Sequence, residues 1–578
     1  MRFNLLFILC LFIVASACTS NPKEPEVDNN PKTEASELGM VAAAQPLATE
    51  AGKKILEMGG NAADAAIATG FVISIVEPTM NSIGGRSLVF LRTPDGKYQG
   101  YNGMTEIPAS FVAPETPATK GHGTIAIPGV VANLIRLHKE HGSLPLETIM
   151  APAIDIAENG FEVLPGEARR HKSGYNAYKD NPGFKAHMLK GDSITYTAGE
   201  ILKQPALAQT LKRIAATGGK DFYEGETAKM IVADMEANGG FVSLEDLKNY
   251  RALDARYVTT NYRGYDIHTM PAPAGGGLII KSLNILENFD MAAMTDAQWA
   301  AVVNQALSHA LESMTYDYKE EDINFVQSRE WAKEKASEII IPSASEASLN
   351  DYTISDSKQL LASNTDWTGN TWGKESHHTT HFVTADCDGM VVSITQTVGP
   401  LFGSKVITEG LGFVYASTMG AYLSASDQSP GSRPRTTIAP TVVTKDGEVV
   451  MTLGAAGGLR ILSGIVQVIS RSIDRGMDLE QAVAAPRVHP NQGSMENGKR
   501  VYDRMKFSAE FTEENGWSVA DSAFWANTGF TVQQINRYGA FSRVHAISRD
   551  TKTKVWTGMA DLDWEGTADA PDDAKCNQ

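Results

Sequence analysis

The apolar positions of this chain change rhythm several times. Leu5 to Val14 is almost continuously apolar behind Arg2, and small residues follow at Ala15-Ser16-Ala17. A positive start, a short apolar run and small residues are the parts of a secretory signal peptide, and the run is too short for a comfortable membrane span. Ser20 to Glu37 is polar and reads as a tether. Helical spacing then begins: Leu47, Ile55 and Met58 recur on one face before Gly59-Gly60 breaks the helix. Asn61 is placed to cap the next helix, with Asp64 three residues on, and Ala65 to Val76 continues it as a strongly apolar run. Ser87 to Arg92 predicts a strand and Asp95-Gly96 a turn. From Pro128 to Tyr250 the pattern is helical, with loops at Gly160, Gly218-Gly219 and Gly239-Gly240, and Pro271 to Gly277 is a loop before another helix.

The stretch from Ser343 to His378 has few apolar residues and reads as an exposed linker. Beyond it, Thr380–Ala385 and Met390–Thr397 are β-rich runs joined at Asp388-Gly389, and Pro440–Thr444 and Val449–Leu453 repeat the pattern around Asp446-Gly447. Ile461, Ile465, Ile469 and Ile473 form a helical stripe. The expected organisation is a helix-rich first part, an exposed linker and a strand-rich second part, without internal repeats.

Composition narrows the function. The 578 residues are 42% hydrophobic, enough for a substantial core, and the net charge of −17 argues against nucleic acid or an anionic membrane surface as main partner. Of four cysteines, Cys10 leaves with the signal. Cys18 follows the small residues as a bacterial lipobox cysteine does, so a lipid on Cys18 is expected, ordinary cleavage near it being the alternative. Cys387 and Cys576 remain as a pair that an exported protein permits but sequence does not establish.

The chemistry centres on Ser376-His377-His378-Thr379-Thr380-His381. A mid-chain Thr hydroxyl is a poor nucleophile. A Thr at a new N-terminus has its own α-amino group as base, with a pKa near neutrality. Cleavage between His378 and Thr379 would create that site. Read alone, a Thr-Thr pair at a strand start is ordinary β-propensity. The histidines lack the intervening Glu of a zinc protease, and His381 begins a strand pattern rather than a helix, so no metal site is expected.

The sequence resembles the γ-glutamyltransferase (glutathione hydrolase) family from about Gly39 to Thr567. The segments that carry the resemblance include Gly59-Gly60-Asn61-Ala62-Ala63-Asp64-Ala65-Ala66, Val76-Glu77-Pro78, Ile83-Gly84-Gly85, Phe222-Tyr223-Glu224-Gly225, Tyr262-Arg263-Gly264-Tyr265, Thr379-Thr380-His381-Phe382, Arg433-Pro434, Gly457-Gly458 and Ala484-Ala485-Pro486-Arg487. The resemblance implies an α+β fold, a four-layer αββα sandwich of the N-terminal-nucleophile hydrolase type built from two autocleaved subunits. Its divisions are a signal peptide at 1–17, a tether at 18–38, a large subunit at 39–378 ending in the linker, and a small subunit at 379–578. It implies Thr379 as nucleophile, Thr397 as the second threonine contacting it, and Gly457 and Gly458 as the oxyanion hole. Thr436 and Thr437 fall where the family binds the substrate's α-carboxylate. No cofactor is implied. The expected partners are a small amide or peptide substrate and the two subunits of one precursor. The expected location is exported, periplasmic or lipid-anchored to a bacterial membrane.

The acyl-binding positions depart from the family. Met104 stands at the place of a carboxylate-pairing Arg, Gly399 at that of an Asn, and Thr418 and Ala421 at those of a Gln and an Asp. Arg86 is an addition, either a substitute charge for substrate or a surface residue. Asp561 to Ala568 and Arg543-Val544-His545 read as structural. The expected function is a self-processing amidohydrolase or acyltransferase acting on γ-glutamyl amides such as glutathione or a related amide. One alternative is an N-terminal-Thr acylase for other amides, and another is an inactive binding lipoprotein with the same fold.

Overall fold

The computed structural model describes residues 32–191, 193–314, 324–343, 378–423, 428–491, 494–496, 499–511, 516–535 and 541–576. The signal segment, Cys18, most of the tether and linker residues 344–377 lie outside the described residues.

Fourteen strands build the two large sheets: β1 (Thr33–Ser36), β2 (Gly39–Ala43), β3 (Arg86–Arg92), β4 (Tyr98–Gly103), β5 (Leu253–Asp254), β6 (Val258–Tyr262), β7 (Tyr265–Thr269), β8 (His378–Asp386), β9 (Val391–Gly399), β10 (Thr441–Lys445), β11 (Glu448–Ala456), β12 (Arg543–Arg549), β13 (Trp556–Ala560) and β14 (Thr567–Asp569). One sheet runs β1-β13-β12-β11-β10-β7-β6 and the other β14-β2-β8-β9-β3-β4-β5. Helices α1 (Pro46–Glu57) and α2 (Ala62–Val76) cover the second sheet, and α3 (Gly276–Leu286), α4 (Asp296–Glu312) and α5 (Arg460–Asp474) form the layer on the first.

Period-two alternation makes the layers. Val41, Ala43, Val89, Leu91, Phe382, Val392 and Ile394 pack toward α1 and α2. Their neighbours Met40, Ala42, Leu88, Phe90, Val383, Ala385 and Val391 pack between the sheets with Val442, Ile547 and Trp556. Both faces of the second sheet are therefore dry, and β8 and β9 are buried along their whole length.

The split into a helix-rich and a strand-rich part is corrected. Strands β1 to β7 precede the linker and β8 to β14 follow it, and each sheet takes strands from both sides. Strand β2, Gly-Met-Val-Ala-Ala, is buried on both faces and shows no polar alternation to mark it. β6 and β7 meet at Arg263-Gly264, both at positive φ, a tight hairpin turn. Residues 33–36, inside the segment read as tether, pair with β13 as an edge strand. His378, read as the last linker residue, is buried, because it already pairs with Gly399 as the first residue of β8.

The expected cap of α2 forms. Asn61 accepts from Ala63 N–H and Asp64 N–H, and Asp64 accepts in return from Asn61 N–H. Asp386, at the end of β8, accepts from Ala62 N–H at 2.9 Å, which fixes this strand to that helix start. Cys387 and Cys576 form a disulfide, tying the β8–β9 turn to the C-terminal segment.

Candidate active site

Strand β8 lies between β2 and β9 in the middle of its sheet. Its register with β9 slips between His378 and Thr380, so Thr379 falls at an irregularity of the ladder. Such a slip leaves a residue out of pairing and re-aims its side chain. The Thr379 hydroxyl donates to Thr397 Oγ1 at 3.3 Å. Thr397 Oγ1 accepts a second bond from Gly399 N–H at 2.9 Å and donates its own proton to the His378 carbonyl at 2.5 Å. In the continuous chain, the hydroxyl at the start of the small-subunit segment and the carbonyl before it thus share one partner. All three residues are buried.

Close approach of the two sheets holds this strand. A Cβ on Gly454 would lie 2.3 Å from the His381 ring, so glycine is required where β11 crosses β8. His381 Nδ1 is 2.8 Å from Thr395 Oγ1, and burial holds the ring well below the usual histidine pKa, with His545 adding to the effect. His381 is thus neutral and locked by its neighbour; His377 lies outside the described residues. β11 ends at Ala456, which pairs with Arg543 of β12. Gly457 and Gly458 follow at φ +128° and +62°, and α5 begins at Arg460. Two glycines in left-handed backbone at a helix start present N–H groups that side-chain-bearing residues would not present cheaply.

Arg543, which the sequence places only in a terminal strand, holds the backbone of Thr379. Its Nη2 donates to the Thr379 carbonyl at 2.8 Å and its Nη1 lies 3.3 Å from Glu77 Oε1. The guanidinium stacks over Trp564 at 3.6 Å, and Arg170, from the helix Pro165–Tyr178, lies over the same ring at 4.2 Å. Arg170 pairs with Glu167 and reaches Glu77 at 3.6 Å. Burial pushes the Glu77 carboxyl up against the pull of Arg543 and Arg170. Burial would raise Glu167 as well, but Arg170, His171 and Thr79 bring it down to about 2. This buried stack of charges and one indole grips the Thr379 backbone from behind. Its one sequence signal is Glu77 at the end of a strongly apolar helix, a charge in a place that needs a partner.

The remaining predicted residues divide. Arg86 is buried and sits directly across from Thr397 in the β3–β9 ladder, which removes the surface reading. Its Nη1 reaches Thr418 Oγ1 at 3.3 Å, and Thr418 Oγ1 is 2.9 Å from Thr105 Oγ1. Gly399 approaches the Tyr422 ring, and Met104 is wholly buried. Thr418 is therefore a neighbour of Arg86, Gly399 N–H bonds Thr397, and Met104 follows Gly103, the cross-strand partner of Ser87, whereas Ala421 is exposed and donates its N–H to the Ala118 carbonyl. Thr436 and Thr437 lie in an extended segment against the loop before α3, where Thr436 N–H donates to the Pro273 carbonyl at 2.8 Å. Among the described residues no group of three or more metal-ligating side chains occurs.

Two facing sheets between helical layers, with a threonine at the head of a central strand, define the N-terminal-nucleophile hydrolase fold. The profile of the gamma-glutamyltranspeptidase family matches residues 48–570, and the chain belongs to that family. It is 30% identical to the glutathione hydrolase proenzyme of Escherichia coli over 80% of this chain and 83% of that protein. It is 33% identical to Acylase ACY 1 proenzyme of a Pseudomonas species over 79% of this chain and 83% of that one. The crystal structure of cephalosporin acylase from Bacillus halodurans superposes with a TM-score of 0.81 at 28% identity, covering 96% of this chain and 99% of that chain.

Proposed function

We propose that this protein is an exported amidohydrolase that cuts itself between His378 and Thr379 and then uses Thr379 as an N-terminal nucleophile. The observation that carries the reading is the bond chain from the Thr379 hydroxyl through Thr397 to the His378 carbonyl. In self-cleavage, Thr379 Oγ1 attacks the His378 carbonyl carbon and the peptide C–N bond breaks. The nitrogen leaves as a free α-amine carrying the hydroxyl proton. Water then hydrolyses the His378 ester and restores the hydroxyl. The new amine, with a pKa of about 8, is the base for turnover near neutral pH. Thr379 attacks the substrate amide, and the N–H groups of Gly457 and Gly458 stabilise the oxyanion. The amine departs with its proton, and water or a second amine resolves the acyl ester.

The substrates are amides or small peptides: γ-glutamyl compounds such as glutathione, or amides of other acyl groups. Thr436, Thr437 and Arg86 contact the acyl portion. The acylase reading is favoured by Met104, Gly399 and Thr418, which stand where the family's glutamate-binding groups are expected, and by the likeness to acylases as well as glutathione hydrolases. The inactive-scaffold reading has no support, since the Thr379, Thr397 and His378 contacts are all formed. Export rests on the signal-like N-terminus and on the Cys387–Cys576 disulfide, which suits an oxidising compartment. We assign the mature protein to the periplasm or to a bacterial membrane through a lipid on Cys18.

Denaturing electrophoresis of purified protein tests the reading. Two bands are expected, of 340 and 200 residues if the larger begins at Gly39. Thr379→Ala is expected to remain one band without amidase activity; cutting of that variant at the same bond overturns self-processing by Thr379.

A further inference from the structure

Arg86 presents a buried guanidinium that no carboxylate of the described residues pairs with. It is 4% exposed, and among the described residues its Nε has no hydrogen-bond partner. Its Nη1 makes long contacts, 3.3 Å to Thr418 Oγ1 and 3.5 Å to the Ser417 carbonyl, and the guanidinium also hydrogen-bonds the Tyr422 hydroxyl. The Tyr422 ring lies 5.7 Å away. Burial lowers its pKa, with Tyr422 alone opposing and no carboxylate of the described residues taking part. Other buried arginines here have an acid: Arg170 has Glu167, Arg487 has Asp561 and Arg543 has Glu77. A buried charge without a partner is costly unless a ligand supplies one.

Position says which ligand. Arg86 is the cross-strand partner of Thr397, whose hydroxyl touches the Thr379 hydroxyl. Two cross-strand steps, Thr379 to Thr397 and Thr397 to Arg86, separate the guanidinium from the Thr379 hydroxyl, a span on the order of 10 Å between backbones that a short acyl chain and the long Arg side chain can bridge. The fork geometry of arginine suits a carboxylate there. The groups around Arg86 are the hydroxyls of Thr418 and Tyr422, the Ser417 carbonyl and, behind Thr418, Thr105. Met104, buried in the apolar layer between the sheets, follows the strand that pairs with β3. None of these carries negative charge, so among the described residues nothing would offset the repulsion an ammonium meets beside Arg86.

We propose that Arg86 anchors a carboxylate on the acyl portion of the substrate, and that this acyl portion bears no ammonium group, so that ω-carboxyacyl amides are preferred to γ-glutamyl amides. The proposal rests on Thr379 being the nucleophile. The probes are the p-nitroanilides of glutaric acid, γ-linked glutamic acid and butyric acid, assayed on the processed enzyme. The glutaryl anilide is expected to exceed the γ-glutamyl anilide at least about tenfold in kcat/KM, the size of one lost favourable contact. Arg86→Gln is expected to lower kcat/KM for the glutaryl anilide about 100-fold, in the range for truncating a buried charge pair, with a loss on the uncharged butyryl anilide at least tenfold smaller. Arg86→Lys should restore part of the glutaryl activity. Self-cleavage of each variant, read on a denaturing gel, reports folding. If a variant does not process, the ratio of glutaryl to γ-glutamyl hydrolysis by the unaltered enzyme decides. Preference for the γ-glutamyl anilide, or equal losses on glutaryl and butyryl anilides in Arg86→Gln, overturns the proposal while leaving the nucleophile intact. An uncut chain that hydrolyses none of the three overturns the Thr379 reading and this proposal with it.

Discussion

Replacing Thr397 with Val is the most direct perturbation of the self-cleavage geometry. The two side chains have nearly the same shape, so the change removes one hydroxyl and little else. Three bonds go with it: the acceptor for the Thr379 hydroxyl, the acceptor for Gly399 N–H and the donor to the His378 carbonyl. The last matters most for rate, because negative charge develops on that oxygen as Thr379 attacks. Loss of one preorganised donor to an oxyanion costs about 3 kcal/mol, or roughly 10²- to 10³-fold in rate. Loss of the Gly399 partner leaves a buried N–H unpaired and costs stability of about 1–3 kcal/mol. The two effects separate in practice. Cell-free synthesis followed by a gel time course gives the cleavage rate of Thr397→Val against the unaltered chain. Thermal melts of the same change in an uncleavable Thr379→Ala background give stability alone. Thr397→Ser, which keeps the hydroxyl, should process at close to the native rate. Cleavage of Thr397→Val within threefold of native would refute the role given to this hydroxyl.

Two further outcomes follow from the charge stack behind Thr379. Arg543→Gln strands Glu77 with only Arg170 at 3.6 Å and frees the Thr379 carbonyl, so a destabilisation of about 3–5 kcal/mol is expected, with partial recovery when Glu77→Gln is added; equal instability of single and double variants in denaturant melts would contradict the pairing. Glu167 is held at about 2 against an ordinary 4.5, so its contribution is fully present above pH 4.5 and is lost as pH falls toward 2. That difference amounts to about 3 kcal/mol. Glu167→Gln should flatten the loss of stability on acidification over that window, and an unchanged pH dependence would remove Glu167 from the stack.

What the sequence made legible depended on whether its physics is local. The cap of α2 could be read because Asn61 and Asp64 satisfy each other three residues apart. The β8–β9 and β10–β11 hairpins could be read because Gly389 and the Asp446-Gly447 pair mark turns, and all three do adopt positive φ. Strand β2 could not, since five small or apolar residues buried on both faces show no period. The Arg543 stack was hidden for a different reason. Arg543, Trp564, Arg170 and Glu77 come from four distant segments, and each alone resembles a surface or core residue. Their meaning lies in a shared ring and a shared carboxylate. Arg86 was undecided for the same reason: its register opposite Thr397 is a fact of strand pairing across some 300 residues.

The placement of these groups also explains how reaction and specificity can vary separately in this fold. The nucleophile's contacts run along one hairpin, through Thr397, Gly399 N–H and the His378 carbonyl, and through Arg543 behind it. Two of these partners are backbone groups, which substitution elsewhere leaves in place. The groups facing the acyl chain come from β3, from the segment after β4 and from residues 417–422, all outside that hairpin. A different residue at position 104 or 86 alters the local charge without touching a bond made by Thr379. The cost of such a change falls on the protein as buried, unneutralised charge, which is the state in which Arg86 is found. That residue is then stabilised by the substrate it selects, and an anionic acyl group bound there should raise the melting temperature of the processed enzyme by more than its uncharged isostere does.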